Sequence, residues 1–356
     1  MTIHNPSKIP AKVMQVMTNR LDERAQGVTD FLGKSENSHV DFPALWDRVV
    51  AGNERFFKNQ SIDESLAGQL TREEMLFLAR MLRFSTEYVA DQNQKRHPIS
   101  PDIIIEQTVA DGVSVEWQTV PGADEDRVLL YLHGGGWLLG SPNDRRLLTT
   151  ALGRETGMRI LSVDYRMAPE HPHPAPLEDC TAVYQWLLSE GIKSENIFIG
   201  GDSAGGHLTL TTMINLRNRS ISLPAGGILI APATDLALSD PRYFQNGETD
   251  PVLADVGLFW WLLSFLSGAD TRDPLVSPLY DTLEGLPPLL FQVSSSEMLY
   301  SDSIRCAEKA EKAGGDVILQ TWEDTLHVFQ AFGLFDLPEA RDAITKIGNF
   351  VSDHSS

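Results

Sequence analysis

The chain has 356 residues, with 29 lysines and arginines against 49 aspartates and glutamates, a formal net charge of −20. A chain this acidic repels phosphate backbones and anionic headgroups, which speaks against nucleic-acid and membrane-surface partners. Two cysteines, Cys180 and Cys306, far apart and in no C-x-x-C arrangement, speak against a disulfide framework and a thiolate metal site.

The first ten residues, M-T-I-H-N-P-S-K-I-P, hold no apolar signal core. The longest apolar run, from Val256, is shorter than the roughly 20 residues that span a bilayer. No stable membrane insertion is expected, and the expected location is cytoplasmic.

Residues 1–40 are polar and mixed, without a clear period. From Asp41 to Asn59 the pattern is helical, with Leu45, Val49 and Phe56 near one face. A second helix runs from Thr71 to Gln94, where Leu78, Leu82 and Val89 keep the helical spacing. Thr71 followed by Glu74 reads as a capping box. H-P-I-S-P, residues 97–101, closes a helical N-terminal segment over 1–95, ahead of a main domain over 96–356.

Eight strand-like runs follow in order: D-I-I-I-E-Q-T-V, V-S-V-E-W-Q-T-V, R-V-L-L-Y-L-H, R-I-L-S-V-D-Y, N-I-F-I-G, G-G-I-L-I-A-P, P-L-L-F-Q-V-S and D-V-I-L-Q-T-W. The first two alternate apolar and polar residues across A-D-G, a hairpin signal. The later ones are nearly continuous apolar runs, as for strands buried on both faces. Helical stretches lie between them. The expectation is an α/β fold: an eight-stranded, mostly parallel sheet flanked by helices. Between Ala231 and Pro288 lie more than fifty residues, too many for a simple crossover. This insertion, over 232–287, carries F-W-W-L-L-S-F and is expected to be functional or to fold on its own.

I-F-I-G-G-D-S-A-G-G-H-L, residues 197–208, sets one hydroxyl, Ser203, among glycines between a strand and a helix. A serine on such a turn projects its hydroxyl over the sheet edge, and a helix N-terminus favours negative charge beside it. It reads as a nucleophile. Its base should be a histidine late in the chain. His327, in the loop after the last strand, can reach over the sheet edge; His207 lies one turn into the helix and points away, and His354 lies in the C-terminal tail. The acid partner should leave the preceding strand. Glu297 comes first beyond the strand end and is preferred, with Asp302 as the alternative. L-H-G-G-G-W, residues 132–137, follows the third strand, and its glycines let backbone N–H groups face a cavity. Gly135, Gly136 and Ala204 are the expected oxyanion-hole donors. No G-K-[ST] or G-x-G-x-x-G accompanies the loop, so a phosphate cradle is not indicated. His171 and His173, in H-P-H-P, read as a rigid turn rather than a metal site.

Together these motifs resemble the hormone-sensitive-lipase family of α/β-hydrolases, the bacterial esterases with H-G-G-G. The resemblance rests on His133–Trp137, Gly201–Gly206 and D-Y-R-M-A-P-E at Asp164–Glu170, and covers roughly residues 100–350. It implies a carboxylesterase acting on small-molecule esters with short to medium acyl chains through an acyl-enzyme, without a cofactor. It also implies a helical cap built from 1–95 and 232–287, and a homodimer through the last strand's edge. The chain departs from the family where an aspartate block is common: it reads E-M-L-Y-S-D, and Glu297 stands in the aspartate's place. Asp202 is expected to brace the oxyanion loop or the D-Y-R turn rather than to relay protons. Trp260 and Trp261 are candidates for the pocket wall.

Overall fold

The computed structural model describes residues 11–37, 40–62, 66, 68–247, 250–254, 258–331 and 337–355. Three long helices come first: α1 (Ala11–Leu32), α2 (Phe42–Asn59) and α3 (Arg72–Arg96). Asp41 caps α2 by accepting from the Ala44 N–H, and Thr71 and Glu74 form the expected reciprocal box at the start of α3. Helix α1 is not announced by apolar spacing. It is held by a close approach instead: a Cβ on Gly27 would lie 2.9 Å from Ser85 Cα of α3. Beside it the Ser85 hydroxyl donates to Arg24 O at 2.9 Å, and Phe31 sits edge-on to Phe77. Tertiary contact, not periodicity, stabilises such a helix.

The eight strands are β1 (Ile104–Ala110), β2 (Val113–Thr119), β3 (Asp124–Leu132), β4 (Met158–Asp164), β5 (Ile197–Asp202), β6 (Gly226–Ile230), β7 (Leu289–Ser294) and β8 (Val317–Trp322). They form one sheet in the order β1-β2-β4-β3-β5-β6-β7-β8. The hairpin β1–β2 is antiparallel, as the alternation indicates, and β2 also runs antiparallel to β4. The remaining pairs are parallel. Successive residues of β3 go to opposite cores: Val128, Leu130 and Leu132 to one, Leu129 and Tyr131 to the other. That is why the central strands read as unbroken apolar runs.

The main-domain helices are α4 (Pro142–Thr156), α5 (Ala175–Ser189), α6 (Ala204–Asn218), α7 (Arg242–Asn246), α8 (Leu258–Leu266), α9 (Tyr300–Lys312) and α10 (Pro338–Asp353). The insertion after β6 carries α7 and α8. Helix α8 is apolar on all sides, and eight of its nine residues are buried. It packs on α2 so closely that a Cβ on Gly52 would meet the Phe259 ring at 2.3 Å. Asn53 of α2 also donates to Ala254 O at 2.9 Å. Segments 200 residues apart in sequence thus meet over the C-terminal ends of β5 and β6. Among the described residues no helix is long and apolar enough to cross a membrane.

Candidate active site

Strand β5 ends at Asp202 and α6 begins at Ala204, so the whole turn is one residue, Ser203, at φ 55° and ψ −117°. A non-glycine residue in that region carries strain on the order of 1–3 kcal/mol and needs its surroundings to hold it. The Ser203 N–H donates to Ile230 O at 2.7 Å, and His207 N returns to Ser203 O at 3.0 Å. The glycines allow the approach. A Cβ on Gly205 would sit 1.9 Å from Leu132 O, and one on Gly201 would sit 2.5 Å from Gly205 O. The turn therefore requires G-x-S-x-G for steric reasons.

His327 follows β8 and Glu297 follows β7, on adjacent parallel strands. Both are buried, and His327 Nδ1 donates to Glu297 Oε1 at 2.9 Å. The second carboxylate oxygen accepts from Ser294 N at 3.2 Å. With Nδ1 carrying its proton to the carboxylate, Nε2 is the nitrogen left to act as a base. Burial lowers the His327 pKa, but the charge and hydrogen bond of Glu297 raise it by more, so it ends above the ordinary imidazole value. Burial also pushes the Glu297 carboxyl up, against the pull of His327.

Asp302, the alternative acid, is committed elsewhere. It lies in the first turn of α9, and its Oδ2 accepts from Thr234 N at 2.7 Å and Asp235 N at 2.9 Å. Burial, with the Asp235 charge beside it, moves its pKa up to about 7.

The glycine loop after β3 turns through three successive positive φ values: Gly135 at 124°, Gly136 at 60° and Trp137 at 61°. A Cβ on Gly136 would strike the Trp261 ring at 2.2 Å, and one on Gly135 would strike Leu139 O at 2.1 Å. Among the described residues, no hydrogen-bond acceptor takes the N–H of Gly135, Gly136 or Ala204. Asp202 braces the loop's start: its Oδ1 accepts from Gly134 N at 3.1 Å and from Tyr131 OH at 2.7 Å. Arg145 neutralises it, with Nη2 2.9 Å from Oδ2. Tyr165, of the D-Y-R block, stacks on His133 and donates to its carbonyl at 2.6 Å.

His207 points away from the serine, as its place on α6 suggests, but it has work that the sequence did not disclose. Trp137 Nε1 donates to His207 Nδ1 at 3.1 Å, and His207 Nε2 donates to Val276 O at 2.9 Å. Burial drops its pKa to about 3, so it stays neutral and keeps both bonds. Arg83, on α3, was also missed; its partners lie 55 to 87 residues away, beyond any local pattern.

A cavity of about 40 Å³ opens beside Ser203, walled by Ala233, Leu236, Leu238 and Trp261, with Gly136 and Ala204 at the serine end. Trp261 is on this wall. Trp260 is not; it sits edge-on behind Trp261, 2% exposed, in the core. Among the described residues, no three His, Cys, Asp or Glu side chains come together as a metal site. His173 sets its ring edge-on to Phe265, and Cys180 and Cys306 are buried free thiols.

Residues 129–331 match the family model of the alpha/beta hydrolase fold. The chain is 38% identical over 238 residues to an acetyl-hydrolase of Streptomyces hygroscopicus, covering 67% of this chain and 79% of that protein. It is 37% identical over 265 residues to an esterase of Acinetobacter venetianus, covering 74% and 87%. The crystal structure of an esterase from the bacterial hormone-sensitive lipase family superposes with a TM-score of 0.74 at 35% identity, covering 89% of this chain and all of that one. The chain belongs to the α/β-hydrolase family, in its hormone-sensitive-lipase branch, and is a carboxylic ester hydrolase.

Proposed function

We propose that this esterase works through a serine acyl-enzyme on small esters with short acyl chains. The observation that carries the reading is the buried Glu297–His327 hydrogen bond at 2.9 Å, on the loops that follow β7 and β8, taken together with the strained Ser203 turn after β5. Ser203 Oγ attacks the ester carbonyl while His327 Nε2 takes its proton. Glu297 fixes the tautomer and stabilises the imidazolium. The carbonyl oxygen, now an oxyanion, accepts from the N–H groups of Gly135, Gly136 and Ala204, and the α6 N-terminus favours the charge. His327 then passes its proton to the leaving alkoxide. Water, deprotonated by the same imidazole, cleaves the Ser203 ester and releases the acid.

The acyl chain enters the cavity beside Ser203. A site for one water needs about 10–15 Å³, so a cavity of about 40 Å³ has room for an acyl chain of a few carbons. The acetyl-hydrolase relative supports that size. The N-terminal segment 1–95 and the insertion 232–287 form the cap: α2 and α8 pack together, and Trp261 and Leu258 of α8 line the cavity.

The test is hydrolysis of p-nitrophenyl esters from acetate to palmitate by wild type and Ser203→Ala. Activity on the short esters, lost in the variant, is the expected result. Full activity in Ser203→Ala would remove the serine from the reaction, and a rate that climbs toward palmitate would remove the short-chain pocket.

A further inference from the structure

The glycine loop is strained in a way that its own sequence does not hold. Gly136 and Trp137 both stand near φ 60°, and Trp137 is a bulky residue in a conformation that side chains resist. Asp202 fixes the loop's start and His207 fixes the Trp137 side chain. The exit of the loop, at Leu138, is held from outside the catalytic domain.

Arg83 of α3 supplies that hold. Its Nε donates to Leu138 O at 2.6 Å, and its Nη2 donates to Ala168 O at 2.7 Å. The same guanidinium forks onto Glu170, with Nη1 and Nη2 each 2.8 Å from a carboxylate oxygen. Ala168 N in turn donates to Trp137 O at 3.0 Å. One side chain therefore joins three parts: an N-terminal helix, the loop that carries Gly135 and Gly136, and the A-P-E turn after β4. A planar five-donor group is suited to this, because its fork fixes direction as well as distance. A lysine ammonium could keep the charge but not the geometry.

We propose that Arg83 is a positioning residue for the oxyanion hole, through which the N-terminal segment sets the turnover rate. This rests on the reading of Gly135 and Gly136 as oxyanion donors. Misaligned donors act on the transition state and leave ground-state binding alone, so the loss falls on kcat rather than KM. Removing one such donor outright costs about 100- to 1,000-fold in kcat. Loosening the loop that carries two of them should cost less, about 10- to 100-fold.

The test is steady-state kinetics on p-nitrophenyl acetate for Arg83→Met and Arg83→Lys, with inhibition by an alkyl boronic acid measured on each. A boronate on Ser203 mimics the tetrahedral intermediate, so between variants that share the same pocket a change in its Ki reports the donors. Expected for Arg83→Met is a kcat down about 10- to 100-fold, a KM within about threefold, and a boronate Ki raised in step with the loss of kcat/KM. Arg83→Lys should fall between Met and wild type, and it decides the question if the Met variant does not fold. Wild-type kcat in either folded Arg83 variant overturns the proposal. So does a lost rate with an unchanged boronate Ki, which would assign Arg83 to stability alone. The serine reading fails by a different result, activity in Ser203→Ala, so the two can be told apart.

Discussion

His327 and Glu297 meet across 2.9 Å, Nδ1 to Oε1, with both side chains buried. Asp302, five residues further along, gives its carboxylate to the backbone of Thr234 and Asp235. The two carboxylates that compete in the sequence are thus given different partners by the fold. Glu297→Gln keeps the shape but can hold the imidazole in the wrong tautomer, and an equivalent change in serine proteases costs about 10,000-fold in kcat. A loss of about 1,000- to 10,000-fold is expected here. Asp302→Ala leaves two buried N–H groups without an acceptor, each on the order of 1–3 kcal/mol. Its melting temperature should fall by several degrees while kcat stays within about threefold. Kinetics and thermal melts on the two variants check this, and the reverse pattern would make Asp302 the acid.

On the proposed mechanism, with His327 as the base, the same pair sets the pH profile. Glu297 raises the His327 pKa above its ordinary value despite burial. The base works when neutral, so activity should rise with pH and the acid limb of kcat/KM should lie above the unperturbed value of about 6.5. Replacing Glu297 by Gln removes the charge that raises it and leaves burial, which lowers it. The limb should therefore move to lower pH in Glu297→Gln. A pH–rate profile of the residual activity reads this directly, and an unmoved limb would assign the titration to another group.

The geometry of the candidate site was legible in the sequence where chain order and sterics dictate it. Ser203 needs glycines on both sides because the strand and helix nearly touch there. Glu297 and His327 each follow a strand whose apolar run marks its end. Interactions that join distant segments were not legible. Helix α1 has few apolar anchors and is held by Gly27 against Ser85. His207 looked idle on its helix, yet it holds Trp137. Asp202 beside Ser203 was expected to brace the glycine loop or the D-Y-R turn, and it braces the loop through Gly134; its counter-charge Arg145, 57 residues away, carries no sequence signal.

That brace has its own prediction. Burial alone would raise the Asp202 pKa, but Arg145, by charge and hydrogen bond, lowers it by more, helped by Tyr131 and Gly134. A carboxyl held below its unfolded value near 3.9 adds stability above that pH, and loses it as pH falls through the folded pKa. Arg145→Met strands the buried charge, at a cost of about 3–5 kcal/mol near pH 7. Without Arg145, burial holds the Asp202 pKa above its unfolded value, so the variant takes up a proton first as pH falls: the urea midpoints of wild type and Arg145→Met should differ strongly near pH 7, begin to converge above about pH 4, and meet only below it, where the wild-type carboxyl also protonates. A gap that stays constant with pH would mean that Arg145 acts by packing alone.

The cavity beside Ser203, proposed to take the acyl chain, offers a specificity test. Leu238 is on its wall and 9% exposed, in the left-handed region at φ 52°. Alanine there removes three carbons from a wall that Ser203 shares, at a stability cost of about 2–5 kcal/mol if the site does not collapse. One methylene of fit in an apolar pocket is worth about 10- to 200-fold in discrimination. For Leu238→Ala the ratio of kcat/KM on hexanoate to that on acetate should therefore rise about tenfold or more, with the acetate rate little changed. The p-nitrophenyl ester series measures this in one experiment, because the leaving group is held constant. A ratio that stays at the wild-type value in folded protein would put the acyl chain elsewhere and leave this cavity to the alcohol side.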